Sequence, residues 1–253
     1  MFFDTHAHYD DDAFDADRDE LLRAVHEAGV ALIVDPGCDL DSSRAALALA
    51  ERYPFVYAAM GFHPEELAKY PGSLGELRAL AAHDRCVAVG EIGLDYYWDD
   101  SRKDEQKALF RAQLELALEL QKPVIVHDRE AHGDCLEIVS DYPALRGVFH
   151  CFSGSAETAK ELLKRGWYLG FDGPVTYKNA RKTLEVLAVC PRERLLLETD
   201  SPYLSPVPLR GRRNDSRNLR FVAEKIGGLW GLSGEEVAAL AAENGKRLFG
   251  LHG

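Results

Sequence analysis

The stretch Val124-Ile-Val-His-Asp128 joins a short apolar run to two polar residues, and the same arrangement recurs along the chain. Its apolar residues do not alternate with polar ones, which is typical of a strand in a parallel sheet that is buried on both faces. Val148-Phe-His150 and Leu195-Leu-Leu-Glu-Thr-Asp200 repeat the arrangement. Each stretch therefore predicts a buried strand with polar side chains at its carboxyl end.

Eight strands of this kind are predicted, and amphipathic helix patterns separate them. The predicted strands are Phe2–His6, Ala31–Asp35, Val56–Met60, Val87–Ile92, Val124–His127, Val148–Phe152, Trp167–Phe171 and Leu195–Thr199. The predicted helices are Asp15–Ala28, Asp41–Tyr53, Glu66–Ala82, Asp104–Leu120, Glu130–Ser140, Ala156–Arg165, Ala180–Ala188, Asn218–Leu229 and Ser233–Phe249. Eight strand–helix units of about 30 residues each predict an α/β fold, a (β/α)8 TIM barrel.

The composition is typical of a globular domain. Apolar residues make up 46% and charged residues 28% of the 253 residues, which argues against a disordered chain. No apolar run reaches the length of about 20 residues that crosses a bilayer, and the start Met1-Phe-Phe-Asp4 lacks the features of a signal peptide. Five scattered cysteines without a C-x-x-C pair indicate reduced thiols. We therefore expect a cytoplasmic protein in which residues 1–253 form a single TIM-barrel domain.

Metal-binding side chains follow several of the predicted strands. His6 and His8 form an H-x-H pair, and because alternate residues of a strand share one face, both imidazoles can reach one ion. Other strand ends supply Glu91, His127, His150 and Asp200. Since the strand ends of a TIM barrel converge on one rim, where such enzymes build their active sites, we expect these six side chains to form a metal site.

Four imidazoles and two carboxylates exceed what one ion normally takes from a protein, so two divalent ions are predicted. Glu91 has two oxygens and can bridge the ions. One ion would take His6, His8, Glu91 and Asp200, and the other would take Glu91, His127 and His150. Two ions roughly 3.5–4 Å apart can activate water for attack on a phosphoester, and Asp200 is the predicted acceptor of the water's proton. Glu91 and Asp200 are therefore the predicted catalytic residues.

The nitrogen and oxygen donors suit several metals. By intrinsic preference such a set favours Zn²⁺, Mn²⁺, Co²⁺ or Fe²⁺ over Mg²⁺. Availability in the cell favours Mg²⁺ or Mn²⁺ as the working ion.

Several motifs occur together and in order, from about residue 2 to residue 250. They are Asp4-Thr-His-Ala-His8, Gly61-Phe-His-Pro64, Gly90-Glu-Ile-Gly-Leu-Asp-Tyr96, Pro123-Val-Ile-Val-His127, Phe149-His-Cys-Phe-Ser-Gly154 and Leu197-Glu-Thr-Asp-Ser-Pro-Tyr-Leu204. In these motifs the chain resembles the TatD family of metal-dependent deoxyribonucleases, within the amidohydrolase superfamily. The resemblance implies a TIM barrel with two divalent ions and 3′–5′ exonuclease activity on DNA, sometimes also on RNA.

The resemblance also implies roles for individual residues. It gives the metal ligands as His6, His8, Glu91, His127, His150 and Asp200. It maps His63 onto a histidine that contacts substrate phosphate beside the metals, although His63 precedes Pro64 and could instead brace a loop. The chain departs from the family pattern after the eighth strand, where Leu209 replaces a histidine and Asp215-Ser216 replaces Glu-Pro.

Arginines near two strand ends are candidates for phosphate binding, because the planar guanidinium matches phosphate oxygens. Segment 210–220 contains five arginines and one aspartate, a local charge of +4 within a net charge of −12. Arg210 and Arg129 are the predicted contacts, with ion pairs to neighbouring carboxylates as the alternative. Tyr96, Tyr97 and Trp98 could stack on bases or pack within their loop. The net acidity predicts salt-sensitive binding of nucleic acid at the barrel mouth only.

The function predicted from these residues is a divalent-metal-dependent phosphodiesterase, specifically a 3′–5′ exodeoxyribonuclease. Its expected substrate is DNA, single-stranded or at 3′ ends, and no obligate protein partner is evident. Two alternatives remain open. The same activated water could attack a carbonyl, as in an amide or ester hydrolase such as a D-aminoacyl-tRNA deacylase. The other alternative is a catalytically inactive barrel that binds nucleic acid or protein, although a binding scaffold has no evident need for all six metal ligands.

Overall fold

The computed structural model describes residues 1–70 and 72–251. In these residues eight strands form one parallel sheet in the order of the chain. The strands are β1 (Phe2–Asp4), β2 (Val30–Pro36), β3 (Val56–Met60), β4 (Cys86–Asp95), β5 (Val124–Arg129), β6 (Gly147–Phe149), β7 (Tyr168–Phe171) and β8 (Leu195–Leu197). The predicted α/β barrel is confirmed.

Backbone hydrogen bonds connect the first and last strands. The amide of Thr5 donates to the carbonyl of Leu197 at 3.1 Å, and the amide of Asp200 donates to the carbonyl of His6 at 2.9 Å. A parallel bridge between Ala7 and Ser201 extends this seam past the ends of both strands. The seam therefore brings the segment after β1 beside the segment after β8.

Helices separate the strands, as the periodicity predicts. They are α1 (Arg18–Glu27), α2 (Leu40–Arg52), α3 (Leu74–Ala81), α4 (Lys103–Leu120), α5 (His132–Ser140), α6 (Ala156–Lys164), α7 (Arg181–Leu187), α8 (Leu219–Trp230) and α9 (Gly234–Phe249). Ser233 caps α9 in a reciprocal capping box with Glu236, which satisfies backbone donors at the start of the helix. In the described part of the chain, no helix combines the length and apolarity needed to span a membrane.

The strands are buried on both faces. Leu195 and Leu197 pack in the large cluster formed with the surrounding helices, whereas Leu196 between them packs in a separate cluster with Val34 and Ile125 from other strands. Successive side chains of a strand point to opposite faces. This double burial explains why the strand sequences are uninterrupted apolar runs.

Several boundaries differ from their predictions; β1 ends at Asp4 and not at His6, and β4 extends to Asp95, beyond the predicted Ile92. β6 and β8 end at Phe149 and Leu197, earlier than predicted, and Cys151 after β6 has a φ of 41°, in the left-handed region that does not continue a strand. The single helix predicted for Glu66–Ala82 is wrong. A 3-10 helix over Pro64–Lys69 precedes α3, and Gly72 between them has a φ of 80°. Residue 71, which the predicted helix also spanned, lies outside the described residues.

Candidate metal centre

Glu91 lies at the centre of the polar cluster above the strands. Its side chain is on β4, is 3% exposed, and has its two oxygens facing two different groups of histidines. Oε2 lies 3.3 Å from Nε2 of His6 and 3.6 Å from Nε2 of His8. Oε1 lies 2.9 Å from Nδ1 of His127 and 2.7 Å from Nε2 of His150. The carboxylate thus joins the two groups of histidines in the way that a bridging ligand would.

Asp200 belongs to the group on the Oε2 side. Its Oδ1 lies 3.6 Å from Nε2 of His6 and 3.5 Å from Nε2 of His8. The backbone at Asp200 has a φ of 54°, an uncommon conformation for a residue other than glycine that is enriched at functional sites. The seam between β1 and β8 therefore positions three of the six predicted ligands together.

Hydrogen bonds at the outer nitrogens fix which ring nitrogen of His8 and His127 faces the cluster. Nδ1 of His8 lies 3.0 Å from the carbonyl of Pro36, to which it can only donate. Nε2 of His127 lies 2.9 Å from Oδ2 of Asp95. In the neutral rings, with the remaining proton held there, the lone pairs of Nε2 in His8 and Nδ1 in His127 point toward Glu91. This is how protein scaffolds orient histidines that bind metals.

His63 is placed differently from the other histidines. Its Nδ1 accepts a hydrogen bond from the amide of Glu65 at 3.2 Å, so in the neutral ring the proton lies on Nε2. That Nε2 lies 3.6 Å from Oε1 of Glu91. His63 is therefore oriented as a donor in the cluster, while its bond to Glu65 also supports the start of the following 3-10 helix.

Charges within the cluster perturb the pKa values of its histidines. Burial lowers the pKa of His8, but the carboxylates of Asp200 and Glu91 outweigh burial and raise it to about 10. Burial is outweighed in the same way at His127, where Asp95 and Glu91 raise the pKa to about 10. Burial and the neighbouring His150 lower the pKa of His6 to about 4. Cation binding must therefore displace protons from His8 and His127, because only a deprotonated nitrogen can be a ligand.

The donor set fits divalent metal ions. Three groups of residues each bring their ligand atoms within 4.8 Å of one another: His6, Glu91 and His150; His6, His8 and Asp200; and His63, Glu91 and His127. Imidazole nitrogens and carboxylate oxygens suit Zn²⁺, Mn²⁺, Co²⁺ and Fe²⁺. The structure thus brings together all six side chains that the sequence predicts as ligands.

Asp95 is a member of the cluster that the sequence analysis assigned no role. The predicted strand stopped at Ile92, whereas β4 continues to Asp95 alongside β5. Gly93 permits this close pairing because a Cβ atom there, at a φ of 149°, would collide with the carbonyl of His127. Asp95 also accepts the amides of Tyr97 and Trp98 at 2.9 and 3.0 Å, which fixes its carboxylate. The only signal in the sequence was the position of Asp95 within the Gly90–Tyr96 motif.

A cavity of about 810 Å³ lies over the cluster. Besides residues of the cluster, Arg129 and Trp98 line it. The Arg129 guanidinium lies 4.0 Å from the ring centroid of Tyr97 and 5.5 Å from that of Trp98, and the Trp98 side chain is 62% exposed. The predicted phosphate contact Arg129 and an exposed aromatic surface therefore lie together at the cavity.

The arginines of segment 210–220 lie elsewhere. None of them is among the described residues that line this cavity, and Arg210 lies 4.4 Å from the ring centroid of Tyr177. Arg213 pairs with Asp17 and Arg217 pairs with Asp215, so part of the local positive charge is neutralised. The arrangement matches the ion-pair alternative for Arg213 and Arg217.

Cys38 lies in the cavity wall, next to the cluster. Sequence reasoning assigned it no metal role because no second cysteine stands at metal-binding spacing. Its Sγ, however, lies within 4.8 Å of ligand atoms of His8 and Glu91. Burial and the charge of Glu91 raise the pKa of the Cys38 thiol well above its usual range, which favours the neutral thiol.

Comparisons with known proteins agree with this fold. The family model described as TatD related DNase matches residues 3–250. YabD of Bacillus subtilis (strain 168), an uncharacterized metal-dependent hydrolase, is 44% identical over 252 residues, 98% of this chain and 99% of YabD. The 3′-5′ ssDNA/RNA exonuclease TatD of Citrobacter rodentium is 36% identical over 257 residues, 98% of each chain.

Solved structures show the same similarity. The crystal structure of YJJV, a TatD homolog from Escherichia coli K12, has a TM-score of 0.92 and 35% sequence identity, covering 99% of this chain and 98% of YJJV. The resemblance found in the sequence motifs is thereby confirmed. The chain belongs to the TatD-related DNase family and is a metal-dependent hydrolase.

Proposed function

We propose that this hydrolase is a phosphodiesterase that uses two divalent ions, in function Mg²⁺ or Mn²⁺, as a 3′–5′ exonuclease on single-stranded DNA. The observation that carries the proposal is that the two carboxylate oxygens of Glu91 face two separate groups of histidines. Polarity and substrate are supported by relatives such as the exonuclease TatD of Citrobacter rodentium.

Six residues would hold the ions in the proposed centre. His6, His8 and Asp200 would hold the first, His127 and His150 the second, and Glu91 both. When bound, such ions lower the pKa of water and offset the negative charge of a phosphodiester. Asp200 would accept the proton of the attacking water, because its side chain lines the cavity beside His6 and His8.

The cavity wall offers donors for the phosphate. Nε2–H of His63 is oriented into the cluster and can donate to a phosphate oxygen. Arg129 presents a guanidinium held against Tyr97 and Trp98, and a planar guanidinium can bind two phosphate oxygens at once. Arg210 remains a predicted phosphate contact. Because it lies beside Tyr177 and outside the cavity lining, only a substrate long enough to extend to Tyr177 would reach it.

Product analysis with end-labelled single-stranded DNA tests the proposal. With Mg²⁺ or Mn²⁺, a 3′ label should leave first as a mononucleotide, whereas a 5′ label should pass through a ladder of shortening strands. A chelator should stop both reactions. Turnover of an aminoacyl-tRNA or a simple ester in preference to DNA would instead establish a carbonyl hydrolase.

We expect Trp98→Ala to weaken binding of single-stranded DNA. Stacking of one base on an aromatic side chain contributes about 1–3 kcal/mol, so KM should rise about tenfold or more while kcat changes little. Kinetics on an oligonucleotide and on a small phosphodiester without bases provide the measurement. Turnover of the small substrate should be unchanged, and Leu229→Ala, which removes an exposed apolar side chain outside the cavity, is the control.

We expect Asp95→Asn to lower metal affinity about 10–100-fold. The new amide would present hydrogens to the ring proton of His127, so His127 loses the acceptor that orients it. Calorimetric titration of metal-free protein with Mn²⁺ measures the change. Asp100→Asn, at an exposed carboxylate in the following loop, should bind Mn²⁺ like the wild type, and equal affinity in both variants would show that Asp95 does not position His127.

A further inference from the structure

A second pair of carboxylates lies on the Nδ1 side of His8, away from Glu91. Asp35, near the end of β2, is 0% exposed, and neither of its carboxylate oxygens has a hydrogen-bond partner among the described residues. Oδ1 of Asp10 is likewise buried without a partner there, and it lies 4.0 Å from Nδ1 of His8. The ligand atoms of His8, Asp10 and Asp35 lie within 4.8 Å of one another.

Among the described residues, the two nearby cationic side chains, Arg18 and His8, direct their hydrogen bonds to other acceptors. The guanidinium of Arg18 donates to the carbonyls of Tyr9, Asp10 and Asp11 and to the carboxylate of Asp15. Nδ1 of His8 donates to the carbonyl of Pro36, as described above. Burying a carboxylate without a partner is costly, and a second carboxylate beside it adds repulsion. Either a bound cation or a proton shared between the two groups must therefore compensate Asp10 and Asp35.

We propose that Asp10 and Asp35 form a third cation site, which takes a hard divalent ion of the Mg²⁺ or Mn²⁺ class. Carboxylate oxygens are the preferred ligands of such ions, and Mg²⁺ is commonly held by one or two carboxylates with water in the remaining positions. Asp10 lines the 810 Å³ cavity, which gives an ion and its water molecules a route to the buried Asp35.

The site is separate from the centre around Glu91. His8 lies between the two, but its Nε2 serves the Glu91 centre while its Nδ1 proton is held by Pro36. The two carboxylates therefore carry the third site. An ion there would reduce the negative charge of the cavity wall, which also contains Asp11 and Asp39. The inference does not depend on phosphodiesterase activity, because it concerns only the number of ions bound.

Counting bound Mn²⁺ tests the proposal. Metal-free full-length protein is dialysed to equilibrium against saturating Mn²⁺, and the ions per chain are measured by elemental analysis for the wild type, Asp35→Asn and Asp10→Asn. The matched control is Asp128→Asn, which changes another buried carboxylate of the same cavity wall that already pairs with His132 at 2.8 Å. Circular dichroism verifies that each variant is folded. If either Asp35→Asn or Asp10→Asn does not fold, the ion count of the other one tests the proposal.

We expect Asp35→Asn and Asp10→Asn each to bind one Mn²⁺ fewer per chain than the wild type, with Asp128→Asn unchanged. Equal ion counts in the wild type and both cluster variants would overturn the proposal and indicate that the two carboxylates share a proton. If the wild type has no nuclease activity but the two variants still bind one ion fewer, the proposed function is rejected and the third site stands.

Discussion

Replacing Glu91 with Gln is expected to reduce the turnover of single-stranded DNA by about 10²- to 10⁴-fold. The amide has the same shape but removes the negative charge between His6 and His150, and it presents hydrogens to one group of ring nitrogens. Removing one partner of a buried charge pair costs about 3–5 kcal/mol, and each 1.4 kcal/mol corresponds to about a factor of ten in rate. Both proposed ions should bind more weakly, since Glu91 faces both groups of histidines.

Kinetics and ion content together provide the measurement for Glu91→Gln. The loss should appear in kcat/KM, with fewer Mn²⁺ ions retained after dialysis. Glu161→Gln changes an exposed carboxylate on α6 and should match the wild type in both measurements. A Glu91→Gln enzyme with wild-type turnover and a full complement of ions would contradict the proposed role of Glu91.

Asp200→Asn is expected to reduce kcat by about 10²–10⁴-fold, the usual range for loss of general acid–base catalysis. Burial raises the pKa of Asp200, but His8 and the charges of His6 and His150 outweigh burial and lower it below its usual value. The side chain is therefore ionised at neutral pH and able to accept a proton. The amide of Asn cannot accept that proton, and it offers the first proposed ion a neutral oxygen where Asp200 offers a negatively charged one.

The division between kcat and KM checks the role of Asp200. Because the predicted phosphate contacts lie elsewhere on the rim, His63 after β3 and Arg129 at the end of β5, KM should change much less than kcat. Glu66→Gln, at a carboxylate in the cavity wall that pairs with Lys69 at 2.7 Å, is the matched control. A rise in KM with unchanged kcat would assign Asp200 to substrate binding instead of proton transfer.

The barrel could be predicted because its strands are buried on both faces. Eight apolar runs, of which Leu195-Leu-Leu197 is one example, alternate with amphipathic helices, and this pattern leaves few alternative folds. The helix over Glu66–Ala82 was predicted wrongly because its apolar spacing was given more weight than Pro71-Gly72, a pair that disfavours continuation of a helix. Local periodicity therefore gave the elements correctly where turn residues did not interrupt them.

The six clustered side chains could also be predicted, because each lies at or shortly after the end of a predicted strand and barrel strand ends converge. Asp95 could not, since its role depends on the pairing of Gly93 with His127, which sets how far β4 extends. The surroundings of Asp35 and Cys38 depend on how the chain turns after β2. Such contacts arise from tertiary structure, and the spacing of residues along the chain does not encode them.

The bond between Asp4 and Thr199 has a consequence for how the protein is made. Thr199 donates its hydroxyl to the carboxylate of Asp4 at 2.6 Å, across 195 positions of the chain. During synthesis the segment with His6 and His8 is made well before the segment with Asp200, so the two cannot meet until both have left the ribosome. A chain that stops between these two segments therefore cannot close the barrel seam or bring Asp200 beside His6 and His8.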